Sequence, residues 1–165
     1  MSAQTDNDKS LREHLDSLLG VGNAHISFDD FVKDFPVDKC SERIEGLPYT
    51  AWQVLEHMRI ALWDILEFSR DAKHVSPKWP SGYWPKEEDA GDASRWNETV
   101  ESFRQDLEQM RNLVNDPTTD LFAKIAHGSG QMILREALLV ADHNAYHLGQ
   151  LVVVRRALGA WPDDR

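Results

Sequence analysis

The stretch that most constrains the fold of this chain covers residues 131–158. It contains no proline and a single glycine, Gly149, and it is followed by Gly159 and Pro162, which are signals that end a helix. The pattern therefore predicts one long helix. Residues at three- and four-residue spacing form one apolar stripe along it, and this stripe includes two histidines: Val140, His143, His147, Leu151 and Val154.

A third histidine lies on the apolar face of another predicted helix. Thr50 is a good N-cap for a helix over residues 51–71, and its core-facing line comprises Val54, His57, Ala61, Ile65 and Phe68. A buried imidazole needs a polar partner, and each histidine alone could be a hydrogen-bonded core residue. Three imidazoles from two helices, with coordination positions left open, instead match a catalytic zinc site, and imidazole also suits nickel and iron. We predict that His57, His143 and His147 bind one divalent metal ion.

The rest of the chain predicts an all-α fold. A first helix in two pieces covers residues 10–35 with a break at 20–23, and another helix covers about 93–115. No stretch shows strand-like alternation. We predict an antiparallel four-helix bundle with mostly short connections, in which residues 1–165 form a single domain and residues 1–9 are a loose terminus.

The composition excludes several functional classes. The chain has 165 residues and a formal net charge of −10, and its basic residues are dispersed, which argues against a nucleic-acid partner and an anionic membrane surface. It has neither an apolar N-terminal segment nor a run of about 18 apolar residues, so we expect no signal peptide and no membrane span. With Cys40 as the only cysteine, no internal disulfide forms. We expect a cytoplasmic protein.

Residues 143–147 have the histidine spacing of the zinc-peptidase motif H-E-x-x-H, but Asn144 replaces the glutamate. An amide cannot take a proton, so peptidase chemistry is disfavoured. Glu136 lies seven residues before the first histidine, roughly 10 Å along the helix, and is too far away to be a ligand. Gln150 could hydrogen-bond a bound group or a ligand ring, or simply pack between helices. Gln150 and Tyr146 are the candidates for orienting a substrate.

The remaining histidines and the cysteine give weaker signals. We expect His14 and His74 to be solvated, because neither lies on an apolar stripe. We expect His25 and His127, which lie at glycine-rich breaks, to make local hydrogen bonds. Cys40 lies in a predicted connector and is expected to be a small buried hydrophobe.

Residues 72–92 interrupt the helical pattern with several prolines, glycines and aromatic residues, among them Trp79, Tyr83 and Trp84. A connection this long is uncommon in a compact domain and is often functional. It could cover one end of the bundle or act as a lid over the metal. The second helix continues for about 13 residues, or roughly 20 Å, beyond His57 before this loop begins. This distance favours a loop that covers one end of the bundle.

His57, together with HNAYHLGQL and the following RRALG in the last helix, resembles the DinB-like (YfiT-like) family of four-helix-bundle metalloproteins. The resemblance covers about residues 10–161. It implies an antiparallel bundle, a divalent metal (often nickel or zinc) held by the three histidines, and frequent homodimers. The family includes thiol-dependent transferases, and also a thiol-dependent isomerase branch with an extra C-terminal domain, for which we expect no room in a chain that stops at Arg165.

The favoured function is that of a metal-dependent enzyme that transfers a low-molecular-weight thiol to an electrophile. A thiol that coordinates a metal is deprotonated outright, whereas hydrolysis usually also needs a carboxylate base. The alternatives are a metal-dependent hydrolase and a non-catalytic metal- or ligand-binding bundle. We also predict a homodimer, because six tryptophans are more than a small bundle easily buries, and Trp52 and Trp63 are the suggested interface residues.

Overall fold

A computed structural model describes residues 3–20 and 24–162 of the chain. Its helices are α1 (Ala3–Gly20), α2 (Phe28–Val32), α3 (Ala51–Arg70), α4 (Ala93–Asn115) and α5 (Ile133–Ala157), with a 3-10 turn at Val37–Lys39. The described residues contain no strand, only an isolated bridge between Lys124 and Met132. The all-α fold and its four main helices are confirmed. None of the described helices is both long and apolar enough to cross a membrane.

Local signals in the sequence place the ends of the helices. Thr50 and Gln53 form a reciprocal capping box at the start of α3, and the Asp92 side chain accepts from the Arg95 backbone N–H at the start of α4. Gly159, at φ +63°, follows the end of α5 in the left-handed conformation that favours glycine. The predicted bounds of these three helices therefore agree with the structure to within two residues.

The N-terminal region differs from its prediction. Helix α1 begins at Ala3 rather than at Ser10, and the buried Arg12 connects it both to Asp8 in this additional part and to the end of α4. The Arg12 guanidinium pairs with Asp8 and donates to the carbonyls of Val114, Asp116 and Thr119. The second predicted piece is helical only over Phe28–Val32, and residues 21–23 of the predicted break lie outside the described residues.

The contacts between helices give the direction of each one. The pairs Glu56–Thr99 and Arg70–Gln109 connect α3 and α4. The residue numbers increase in the same direction along both helices, so the two helices are parallel. Helix α1 is antiparallel to α4, since Arg12 bonds to Asp116 and Asp16 bonds to Arg111. Helix α5 is antiparallel to α3. Helices α1 and α5 thus run one way, and α3 and α4 run the other.

This topology requires a long return connection between α3 and α4. Helix α3 has 20 residues and is about 30 Å long, so residues 71–92 must travel back over that length before α4 can start beside it. Near its end the loop packs so closely on α3 that a Cβ added to Gly91 would lie 2.2 Å from Cγ of Trp52. The expectation that residues 72–92 cover only one end of the bundle is wrong, because the loop follows α3 back past His57.

The core lies between the four main helices and the segment before α3. Its fully buried side chains include Phe31, Leu55, Leu62, Phe103, Met110 and Leu151. Arg155 of α5 is also buried, and it donates to the carbonyls of Phe31, Lys33 and Asp34, which fixes this segment against α5. Cys40 is buried, as expected. Trp52, a suggested interface residue, is only 4% exposed and belongs to the core.

Candidate metal centre

The three histidines meet between α3 and α5. His57 Nε2 lies 3.1 Å from His147 Nε2 and 3.1 Å from His143 Nε2, and the ligand atoms of all three lie within 4.8 Å of one another. His57 and His147 are buried, and His143 is partly exposed. The two histidines of α5 are four residues apart, so the helix presents both rings on the side that faces α3.

Two of the rings are oriented by hydrogen bonds at their other nitrogen. His57 Nδ1 lies 2.7 Å from the main-chain oxygen of Tyr83, and His147 Nδ1 lies 2.7 Å from Oε1 of Gln150. Both oxygens can only accept, so both Nδ1 atoms carry the proton. In the neutral rings, Nε2 of His57 and Nε2 of His147 therefore carry no proton, and their lone pairs point at each other. Gln150 therefore contacts the ring of His147, a candidate metal ligand, and this is one of the three roles considered for it.

This arrangement fits a metal ion. Two bare nitrogens 3.1 Å apart have no proton to share, and a cation between them replaces the lone-pair repulsion with coordination. Zinc–imidazole bonds of about 2.0–2.1 Å in tetrahedral geometry place neighbouring nitrogens roughly 3.3 Å apart, and the two separations of 3.1 Å are close to this value. An oxygen acceptor behind a ligating histidine is also the usual outer partner in such sites.

Burial keeps the rings neutral. The pKa of His57 is lowered to about 4, chiefly by desolvation, against the opposing bond to the Tyr83 carbonyl. The pKa of His143 is lowered to about 3, again by desolvation first and then by the two neighbouring histidines. Desolvation also lowers the pKa of His147. At neutral pH the cluster therefore offers three uncharged nitrogen donors.

The loop of residues 72–92 covers one side of the cluster. The Trp84 ring stacks on the His57 ring with centroids 3.9 Å apart and planes only 3° apart. The preceding residue, Tyr83, supplies the carbonyl for His57, and its hydroxyl donates to Asp64 at 2.6 Å. Burial and then the adjacent Asp64 raise the pKa of Tyr83 to about 12, so the hydroxyl keeps its proton. The ring of the exposed Tyr146 packs edge-on against His147.

The carboxylates near these helices have other partners. Glu136 is buried but pairs with Arg135, in line with the prediction that it is too far away to be a ligand. Glu56 accepts from Arg59 and Thr99, and Asp142 is exposed. Within residues 3–20 and 24–162, the three histidines are the only group of three or more His, Cys, Asp or Glu side chains close enough to share an ion.

Asn144 faces away from the cluster. Its side chain lines a small cavity of about 50 Å³ between α1, α4 and α5, together with Leu19 and Phe103, and its Oδ1 atom is buried without a hydrogen-bond partner. None of the three histidines lines that cavity. The residue that replaces the glutamate of the peptidase motif therefore cannot act on a group held by the histidines.

The other histidines lie outside the cluster. His14 is exposed and His25 bonds to the neighbouring Ile26 carbonyl, as expected. His74 was expected to be solvated, but its side chain is only 8% exposed and its Nε2 bonds to Asp64, because the loop packs back onto α3. His127 makes a hydrogen bond that is not local, since its Nε2 contacts the Phe68 carbonyl at the end of α3.

A cleft of about 720 Å³ adjoins the covered side of the cluster. Its walls combine five apolar side chains, four of them aromatic or proline, with three polar ones: Leu47, Pro48, Tyr49, Trp84 and Pro85, and Arg43, Gln53 and Glu87. Trp84 belongs both to the cleft wall and to the stack on His57, and its other neighbour in the stack is Tyr49. The cleft therefore offers an apolar surface beside the histidines.

Sequence reasoning missed Asp64, Tyr83 and Trp84 as residues of this site. The aromatic cluster in the proline-rich loop is the signal that could have pointed to Tyr83 and Trp84, since exposed aromatic residues in a long loop require a packing partner. Asp64 has a weaker signal. It is an acidic residue within an apolar helix segment, between Trp63 and Ile65.

The fold and the cluster together define a class of protein, a bundle of four main helices with a buried three-histidine centre that could bind a metal. The family model of the DinB superfamily matches residues 26–151, and the chain belongs to this superfamily. The matched region contains all three histidines and the loop that covers them. Searches among curated proteins and among solved structures gave no match.

Proposed function

We propose that this protein is an enzyme that uses a divalent metal, zinc or nickel, to transfer a low-molecular-weight thiol to an electrophilic small molecule. The observation that carries the proposal is the convergence of three neutral imidazole nitrogens, with no carboxylate in the same group of the described residues. Neutral nitrogen ligands suit both metals. They also leave the full charge of the ion to act on a bound thiol, whose pKa it lowers, so that a nucleophile forms without a general base.

The residues of the chain have distinct roles in this proposal. His57, His143 and His147 hold the metal, and Tyr83 and Gln150 keep two of these rings in the tautomer that leaves Nε2 free. The aromatic wall of Tyr49 and Trp84 supports the body of the electrophile beside the site. Tyr146 would orient the electrophile, a role supported by its 64% exposure and by its ring contact with His147. In the reaction a carbon–sulfur bond forms, the bond to the leaving group breaks, and the thiol proton leaves with that group.

The test is the consumption of a chromogenic electrophile by a panel of small thiols. Metal-loaded wild-type protein is compared with the metal-free protein and with His57→Ala, which should both fall to the uncatalysed rate. Cys40→Ala is the matched control. It removes the only thiol of the chain, which lies outside the site, and should retain full activity. Ester or amide hydrolysis that persists without any thiol, together with no acceleration by thiols, would favour a hydrolase instead.

A further inference from the structure

Asp64 is a buried carboxylate of α3 whose partners both come from the loop of residues 72–92. The Tyr83 hydroxyl donates to its Oδ2 at 2.6 Å, and His74 Nε2 lies 2.7 Å from its Oδ1. The side chains of Asp64 and His74 are 9% and 8% exposed. A carboxylate is costly to bury unless its oxygens accept hydrogen bonds, so these two contacts hold the loop firmly at this point of α3.

Tyr83 contacts α3 a second time through its main chain. Its carbonyl oxygen accepts a hydrogen bond from Nδ1–H of His57, which lies seven residues before Asp64 and thus roughly 10 Å away along the helix. The next residue, Trp84, lies flat against the same histidine ring. One residue of the loop is therefore anchored by its side chain at Asp64, while its carbonyl is aimed at a candidate metal ligand.

We propose that Asp64 and Tyr83 are positioning residues that fix the tautomer and orientation of His57 through the Tyr83 carbonyl. This inference rests on the proposed metal site. With the carbonyl in place, the proton stays on Nδ1 and Nε2 is free for a cation. Without it, the ring populates both tautomers, and the form with a proton on Nε2 cannot bind a metal through that nitrogen.

The test compares Tyr83→Phe with Tyr49→Phe. Tyr83→Phe keeps the aromatic ring and the carbonyl but removes the hydroxyl that anchors them to Asp64. Tyr49→Phe removes a hydroxyl from another tyrosine that also neighbours Trp84. Zinc affinity, measured by competition with a chelating dye, should fall roughly tenfold for Tyr83→Phe, the lower end of the losses seen when an outer partner is removed. Tyr49→Phe should bind zinc like the wild type.

A second measurement determines the tautomer of the His57 ring in metal-free protein. Nitrogen-15 spectra of the His57 imidazole distinguish a protonated nitrogen from a bare one. The metal-free wild type should show a proton on Nδ1, and Tyr83→Phe should show a mixture of tautomers. Asp64→Ala is the second variant and should reproduce both effects. Unchanged affinity and unchanged ring signals in folded variants would overturn the proposal. A wild type that binds no zinc would contradict the proposed function, while the spectra would still decide this inference.

Discussion

Gln150 contacts one of the three histidine rings, a role that its position in the sequence leaves open. From its spacing it could contact a bound group, contact a ligand ring or merely pack between helices. In the structure its Oε1 accepts a hydrogen bond from Nδ1–H of His147 at 2.7 Å. It thereby does for His147 what the Tyr83 carbonyl does for His57, and both bonds leave Nε2 directed into the cluster.

A pair of substitutions at Gln150 tests this role. Gln150→Leu removes the acceptor at similar size, and we expect zinc affinity to fall about 10- to 100-fold, because the His147 ring loses its fixed tautomer. Gln150→Glu keeps an oxygen acceptor at the same place and should bind at least as tightly as the wild type. Calorimetric titration measures both. Equal affinities of the leucine variant and the wild type would show that Gln150 only packs.

At the residue scale, the cluster could be predicted because helix geometry fixes side-chain direction. A spacing of four residues places His143 and His147 on one face, and their apolar neighbours indicate that the face is buried. Asp64 and His74 could not be predicted in the same way. Their contact depends on how a loop of about 20 residues packs, and no periodicity encodes that.

At the element scale, the connection between α3 and α4 determines what surrounds the histidines. The two helices are parallel, so the connection must retrace α3 and pass over His57. The helices themselves were predictable from apolar periodicity and from caps such as Thr50. The path of the loop was not predictable in the same way. The roughly 20 Å between His57 and the end of α3 does not indicate whether the following loop leaves the bundle there or turns back along the helix.

Gly91→Ala tests the packing of this loop, and Gly149→Ala in α5 is a comparison for which we expect the opposite effect on stability. Gly91→Ala places a Cβ 2.2 Å from Cγ of Trp52, which is buried and cannot move freely. We expect the free energy of unfolding to fall by about 1–3 kcal/mol. Gly149→Ala, within α5, has nothing within 4 Å of the new Cβ and should gain roughly 0.5–1 kcal/mol from helix propensity. Chemical denaturation measures both. A Gly91→Ala protein as stable as the wild type would contradict the close loop packing.

At the scale of the whole molecule, the association of chains stays a prediction, but its basis changes. Of the six tryptophans only Trp79 is largely exposed, so they no longer argue for a dimer. The surface of α5 is a better reason, because Leu138 and Val153 are 46% and 57% exposed on roughly one side of that helix. Exposed apolar side chains along one helix face are typical of an interface.

Val153→Lys tests whether this face joins two chains. We expect the wild type to be a dimer in light scattering at micromolar concentration, and the variant to be a monomer because a desolvated lysine without a partner disfavours the contact. Val75→Lys is the matched control, since it places the same charge on an exposed valine of the loop. It should leave the dimer intact. A monomeric wild type of about 19 kDa would remove the prediction.

The central claim is that the three histidines bind one divalent ion, and the metal content of the purified protein tests it most directly. Elemental analysis of untagged protein, loaded with zinc or nickel and then desalted, should give about one metal per chain for the wild type. His147→Ala should lose nearly all of it, and His14→Ala, which removes an exposed histidine outside the cluster, should keep it. A His147→Ala protein that retains as much metal as the wild type would contradict the claim.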